Sequence, residues 1–261
     1  MAGLSSVPEV AHVKQGWRVF GASVVGKSHL DKGLPCQDAQ AQAVVGSHLV
    51  AVVCDGAGSA RHSDEGAQFV ADQLVLALAA RLHGGAAIEE LHNGALEDVL
   101  AQIRAALDEK AAAASATIDD YATTVVGVVM GQDVGLFFHL GDGVAVAQMA
   151  DGAQRISLPA NGEYANETYF VSGTRWRDHL RLLPLGPGVE SVVLMSDGCM
   201  PFAMARKNAS LYAPYMGAIE GYLRSVNSIE SGNAALAATL ADPRTHQITG
   251  DDKTLLLAWR A

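Results

Sequence analysis

The sequence is short of cations, cysteine and aromatic rings, and each shortage removes a class of function. Lys and Arg number 18 against 28 Asp and Glu, a net charge of −10 over 261 residues. Tracking a phosphate backbone needs a cationic face, so this balance argues against nucleic acid as a partner. The three cysteines are odd in number and have no zinc spacing, which fits reduced thiols in a cytoplasm rather than a disulfide framework. Aromatic residues are only 6%. No apolar run reaches the roughly 18 residues of a membrane span, and the first residues hold no apolar core of signal-peptide length. A cytoplasmic protein with no membrane partner is expected. Internal repeats and Pro-, Ser- or Gly-rich linkers are missing too, so one domain over 1–261 is expected. What is abundant is apolar: 49% of residues are hydrophobic and 18% charged, enough for a sizeable core and too apolar for a disordered chain.

Short β-branched or aromatic runs bounded by Gly, Asp or Asn predict strands at Trp17–Val24, Leu49–Cys54, Thr123–Met130, Val134–Leu140, Val144–Met149, Val192–Met195 and Thr254–Trp259. Spacings of three and four place Ala67, Val70, Ala71, Leu74, Val75 and Leu78 on one face of a helix over Asp64–Leu82. Ser63 is its expected N-cap, with Asp64 and Glu65 at the positive end of the dipole. A second helix is predicted from about Gly94 to Lys110, with Leu96, Val99, Leu100, Ile103 and Leu107 as its stripe. A third covers about Ala218–Ala241, broken near Gly232. Tight connections at Gly131–Asp133 and Gly141–Gly143 imply antiparallel hairpins rather than βαβ crossovers. The fold class is therefore α+β, with antiparallel sheets covered by helices.

An acid recurs at or beside strand ends: Asp38, Asp55 in Cys54-Asp55-Gly56, Asp142 in Gly141-Asp142-Gly143, Asp197 in Ser196-Asp197-Gly198, and the pair Asp251-Asp252 opening the last strand. One Asp-Gly after a strand is an ordinary turn. Three of them plus an Asp-Asp would bring several carboxylates together if those ends share an edge. Such a cluster repels itself unless cations neutralise it. Carboxylate donors suit Mg²⁺ or Mn²⁺ rather than zinc, and two such ions can hold and activate a bridging water.

The order of these pieces resembles the protein phosphatase 2C family of metal-dependent Ser/Thr phosphatases, and within it a bacterial branch. The resemblance rests on Gly26-Lys27-Ser28-His29, Pro35-Cys36-Gln37-Asp38-Ala39, Asp55-Gly56-Ala57-Gly58-Ser59, Ala122-Thr123-Thr124, Gly141-Asp142-Gly143, Gly162–Thr168, Ser196-Asp197-Gly198 and Asp251-Asp252-Lys253-Thr254. It implies two packed antiparallel sheets flanked by helices, a four-layer αββα sandwich, with two Mn²⁺ or Mg²⁺ ions between the sheets. By motif matching it implies that Asp55 bridges both ions, that the Gly56 carbonyl binds one, and that Asp197 and Asp251 complete the other. Asp38 would bind directly or through water, and Asp142 with Asp197 would form a weaker third site. Asp55 and Asp197 are thus the expected catalytic carboxylates. The implied partner is a phosphoprotein, a cognate Ser/Thr kinase or one of its targets. A catalytically weak phosphoprotein- or kinase-binding module and a hydrolase of small phosphate esters are the alternatives.

The chain departs from the family pattern at three places. Gln37 replaces a Glu, Ala57 stands where animal-type members carry a general-acid His, and Gly33 stands where many carry a phosphate-binding Arg. Lys27, Lys32 and Arg61 are candidate replacement cations, and His29 and His62 candidate proton donors. His139, inside a predicted strand, is expected to be a core histidine. The segment Asn161–Arg177, with Arg175, Trp176 and Arg177, is expected to contact substrate as a flap. Cys54 should point away from the acids, whereas Cys36 and Cys199 could share their side and make activity sensitive to oxidants.

Overall fold

The computed structural model describes residues 16–159 and 168–261. Among these residues ten strands form two five-stranded sheets. They are β1 (Trp17–Val24), β2 (Asp38–Val45), β3 (His48–Asp55), β4 (Val125–Met130), β5 (Gly135–Leu140), β6 (Val144–Met149), β7 (Gln154–Ser157), β8 (Arg181–Leu185), β9 (Val189–Met195) and β10 (Lys253–Arg260). One sheet runs β1-β10-β9-β6-β7 and the other β2-β3-β4-β5-β8. Every pairing is antiparallel. Four longer helices cover them: α1 (Ser63–His83), α2 (Leu96–Ala113), α3 (Ala213–Ser225) and α4 (Ile229–Leu240).

Strand periodicity builds the layers. In β3, Leu49, Ala51 and Val53 face the opposite sheet, and Val50, Val52 and Cys54 face the first helix pair. In β10, Leu256 and Ala258 face inward, and Leu255, Leu257 and Trp259 face α3 and α4. Both faces of these central strands are buried, so they read as continuous apolar runs rather than alternating ones. The outcome is helix, sheet, sheet, helix, as the resemblance implied.

Topology then concentrates strand ends. Asp38 pairs with Asp55, Val125 with Leu140, and Val144 with Met195. The last residues of β3, β5 and β9 therefore meet the first residues of β2, β4, β6 and β10 along one edge. The Gly141–Gly143 turn crosses from one sheet to the other at that edge.

Several expectations need correction. Strands β2, β7 and β8 were not predicted. β2 alternates Ala and Gln instead of β-branched residues, and the other two are short edge strands, β8 carrying Pro184. Ser63 is not the N-cap: it lies buried in the first turn of α1, and His62 holds the cap position without a side-chain bond. The second helix starts at Leu96, after a turn in which Gly94 takes φ +107°. The third expected helix is two helices parted at Val226–Ser228, not at Gly232. Ser228 caps α4 by accepting from the Ser231 amide at 3.2 Å.

Gly232 lies inside α4 because no side chain fits there. A Cβ at this position would come 2.2 Å from the Phe20 ring. Gly221 of α3 faces open space. Gly232→Ala should lower stability by about 1–3 kcal/mol through overpacking. Gly221→Ala should raise it by roughly 0.5–1 kcal/mol through helix propensity. Urea unfolding of both variants checks this, and a gain at both sites would contradict the packing.

Candidate metal centre

The strand-end acids meet in a cavity of about 180 Å³, lined by Asp55, Asp142, Asp197, Asp251 and Asp252 together with His29, Gln37, Gly56 and Thr124. Asp55, Asp142 and Asp197 each offer an oxygen, and the three oxygens lie within 4.8 Å of one another. Asp55 continues the inward-facing set Leu49, Ala51 and Val53 by period two, while Cys54 turns away into the core under α1. The backbone at Asp55 is fixed from the neighbouring chain: its amide donates to Thr124 Oγ1 at 3.0 Å and its carbonyl accepts from the Thr124 amide at 2.8 Å. Gly56 must be glycine, since a Cβ would stand 2.6 Å from the Gln37 carbonyl and 2.7 Å from that of Ser63.

The other expected acids are placed differently from one another. Asp251 is exposed and lines the same cavity, its Oδ1 accepting from the Asp252 amide at 2.9 Å. Asp38 is buried behind the cluster, opposite Asp55 in the β2–β3 ladder, and does not line the cavity. Its Oδ2 accepts from Ser196 Oγ at 2.6 Å, and Ser196 Oγ in turn accepts from the Thr254 amide at 3.0 Å. Asp142 Oδ2 accepts from Thr168 Oγ1 at 2.7 Å.

Two buried carboxylate oxygens, Asp38 Oδ1 and Asp197 Oδ1, have no hydrogen-bond partner among the described residues. Orphaned buried oxygens beside a converging acid set are what a hard divalent cation satisfies, so the residues present fit Mg²⁺ or Mn²⁺. The electrostatics agree. Burial first, and then the Asp252 and Asp197 charges, push Asp38 up to about 7 despite the Ser196 bond. Burial and the charges of Asp142 and Asp251 push Asp197 up to about 6. Burial and its acidic neighbours also hold Asp55 well above the usual carboxylate range.

Sequence reasoning quoted Asp252 but gave it no role. It is 2% exposed and accepts three bonds: from the Gly26 amide at 2.6 Å, the Gln37 amide at 2.5 Å and His29 Nδ1 at 2.9 Å. The Asp-Asp doublet was the available signal: both residues stand just before β10 and line the cavity, Asp251 exposed and Asp252 buried. Lys27, Lys32 and Arg61 are absent from the cavity lining; Lys27 pairs with Asp31 at 2.6 Å on the surface. His62 lies outside it as well and stacks on Tyr121. His139 is a core histidine, its Nδ1 2.9 Å from Ser157 Oγ, and burial pushes it down to about 3.

Part of the expected flap, residues 160–167, lies outside the described residues. Of the remainder, Trp176 is largely buried but still forms part of the wall of a second cavity, while Arg175 is exposed and pairs with Asp178. Eight residues between Thr168 and His179 line this second cavity of about 410 Å³, which shares Thr168 and Phe170 with the first. The oxidant expectation is corrected for Cys199, which packs fully buried under α3 and α4. Burial and nearby acids raise all three thiols, Cys36 included, and a protonated thiol is a poor nucleophile.

The raised acids set a pH dependence. Without metal, the folded protein keeps protons on Asp38 and Asp197 where the unfolded chain, titrating near 4, has released them. Their contribution is complete below pH 4 and is lost as pH rises through 6 and 7. The melting temperature in EDTA should therefore fall across that window, and Mn²⁺ should abolish the fall. Asp38→Asn should flatten it. An EDTA profile that is flat or rising from pH 4 to 7 would contradict this electrostatic picture.

Comparison with known proteins agrees with this geometry. A family model described as protein phosphatase 2C matches residues 25–241. Serine/threonine-protein phosphatase 3 of Escherichia coli strain K12 is 30% identical over 254 residues, covering 93% of this chain and 98% of that one. The serine/threonine phosphatase Stp1 from Staphylococcus aureus superposes with a TM-score of 0.61 at 17% identity, over 97% of this chain and 99% of its own. RsbX, solved in complex with magnesium, gives 0.56 at 13% identity, over 94% and 96%. With the family model spanning most of its length and a 30%-identical relative covered almost end to end, the chain belongs to the protein phosphatase 2C family.

Proposed function

We propose that this site hydrolyses phosphoserine and phosphothreonine in proteins with bound Mn²⁺ or Mg²⁺. The carrying observation is the convergence of Asp55, Asp142 and Asp197 to within 4.8 Å in a cavity open to solvent. In this reading Asp55 would serve both ions, the Gly56 carbonyl would contribute to one, and Asp197 and Asp251 would contribute to the other. Asp38 supports the cluster from behind, directly or through water, and Asp142 with Asp197 offers a third, weaker position. Bound cations would neutralise the acids, polarise phosphoryl oxygens and supply an activated water.

The chain's own residues do the rest. Thr124 and the Gln37 carbonyl hold the Asp55-Gly56 corner. Ser196 ties Asp38 to the start of β10. Asp252 locks the loops before β2 and β10 together through the Gly26 and Gln37 amides. The presence of all the expected acids at one edge disfavours a catalytically weak binding module. The larger cavity beside the acids supports a protein substrate over a small ester. Among the described residues no helix is long and apolar enough to cross a membrane. We further propose that the chain acts as one domain in the cytoplasm, on substrates phosphorylated by a Ser/Thr kinase.

Turnover of a phosphothreonine peptide should require Mn²⁺ or Mg²⁺ and stop in EDTA. Asp55→Asn and Asp197→Asn should each lower kcat by about 10³-fold or more, because a lost carboxylate removes both charge and geometry from the attacking water. Both variants should melt cooperatively in the absence of metal. Full activity in EDTA, or an unaffected Asp197→Asn, would sink this reading.

A further inference from the structure

We propose that His29 delivers a proton to the departing serine or threonine oxygen, with Asp252 as the residue that positions it; this rests on the phosphatase reading above. Cleaving an alkyl phosphate leaves a strongly basic alkoxide, which needs a proton as the P–O bond breaks. In this chain Ala57 offers none, so the donor must come from another element.

His29 is placed for it. The side chain is only 11% exposed, yet it lines the acid cavity. Nδ1 is committed to Asp252 Oδ2 at 2.9 Å. Nε2 has no partner among the described residues and is not among the buried polar atoms that lack one, so it keeps its access to the cavity. A buried carboxylate holding one imidazole nitrogen leaves the other aimed at a reacting centre, with the ring fixed in orientation. Asp252 is itself immobilised by the Gly26 and Gln37 amides, so the His29 ring is tied to β2 and β10 together. The remaining lining residues are not comparable donors. Gln37, Thr124 and Thr168 carry no labile proton of suitable acidity, and Asp55, Asp142, Asp197 and Asp251 belong to the proposed cation cluster.

The step balances without a co-reactant. Water oxygen forms a bond to phosphorus as the bond from phosphorus to the seryl oxygen breaks. The Nε2 proton passes to the seryl oxygen, giving the alcohol. The proton released by the attacking water returns the ring to its starting state, so the net products are protein alcohol and inorganic phosphate.

Leaving-group dependence separates this role from simple binding or structural support. p-Nitrophenolate departs as a stable anion and has little need of a proton. His29→Gln should therefore lose about 10²-fold more kcat on a phosphoserine peptide than on p-nitrophenyl phosphate. Added imidazole should restore part of the peptide activity of His29→Ala. Equal losses on the two substrates, or no loss on the peptide, would overturn the assignment. If either variant fails to fold, the wild-type protein still decides. Across aryl phosphates of rising leaving-group basicity, proton delivery predicts a shallow fall in kcat, and a steep fall overturns it. A wild-type protein that hydrolyses none of these esters with Mn²⁺ overturns the phosphatase reading and this inference with it, whereas an active wild type with an indifferent His29 overturns only the inference.

Discussion

Like charge held at short range is the constraint on which the rest of the structure depends. Asp38, Asp55, Asp142, Asp197 and Asp251 converge on one edge of the sandwich, and three of them place oxygens within 4.8 Å. In the absence of a cation, burial first and the neighbouring acids second favour the protonated forms of Asp38, Asp55 and Asp197, and all three are raised. The edge survives because it is clamped from behind. Three apolar layers, one between the sheets and one under each helix pair, fix every strand that delivers an acid. Hydrophobic burial is non-directional and large, so it can hold a locally unfavourable arrangement that function requires.

Hydrogen bonds turn that clamp into a defined geometry. Each is made across long sequence separations by groups that do not themselves enter the acid cluster. Ser196 bonds Asp38 and the Thr254 amide, joining β2 to β10 beside the end of β9. Thr123 and Thr124 receive the end of β3. Asp252 gathers two amides and a histidine. Three donors fix the Asp252 carboxylate in place, so it serves as an anchor, while the orphaned oxygens of Asp38 and Asp197 are left for a cation.

The central strands were legible in the sequence because burial on both faces makes them continuous β-branched runs. β1 and β6 have the predicted bounds, and β3, β4, β5, β9 and β10 differ by a few residues. The acid positions were legible because Asp-Gly pairs recur at the ends of those runs. The edge strands β2, β7 and β8 were not, although the edge strand β1 was. Asp38–Val45 relies on Ala and Gln and is held by pairing to β3 and packing on α1, neither of which a local pattern records. The helix break at Val226–Ser228 was misplaced to Gly232 because a glycine inside a helix looks like a breaker until the Phe20 ring against it is seen.

The sequence by itself determined the α+β class, the main strands, the helix facing the first sheet and the set of carboxylates from which a metal centre could be built. These follow from local periodicity and turn chemistry, which depend on neighbours a few residues away. Only the tertiary structure decided which acid of the Asp251-Asp252 pair is exposed at the cavity, that Asp38 stands behind rather than within the cluster, and that His29 shares a bond with a residue 223 positions later. Burial, charge repulsion and hydrogen-bond partnership act through space. They become definite only when antiparallel registers bring distant strand ends to the same edge.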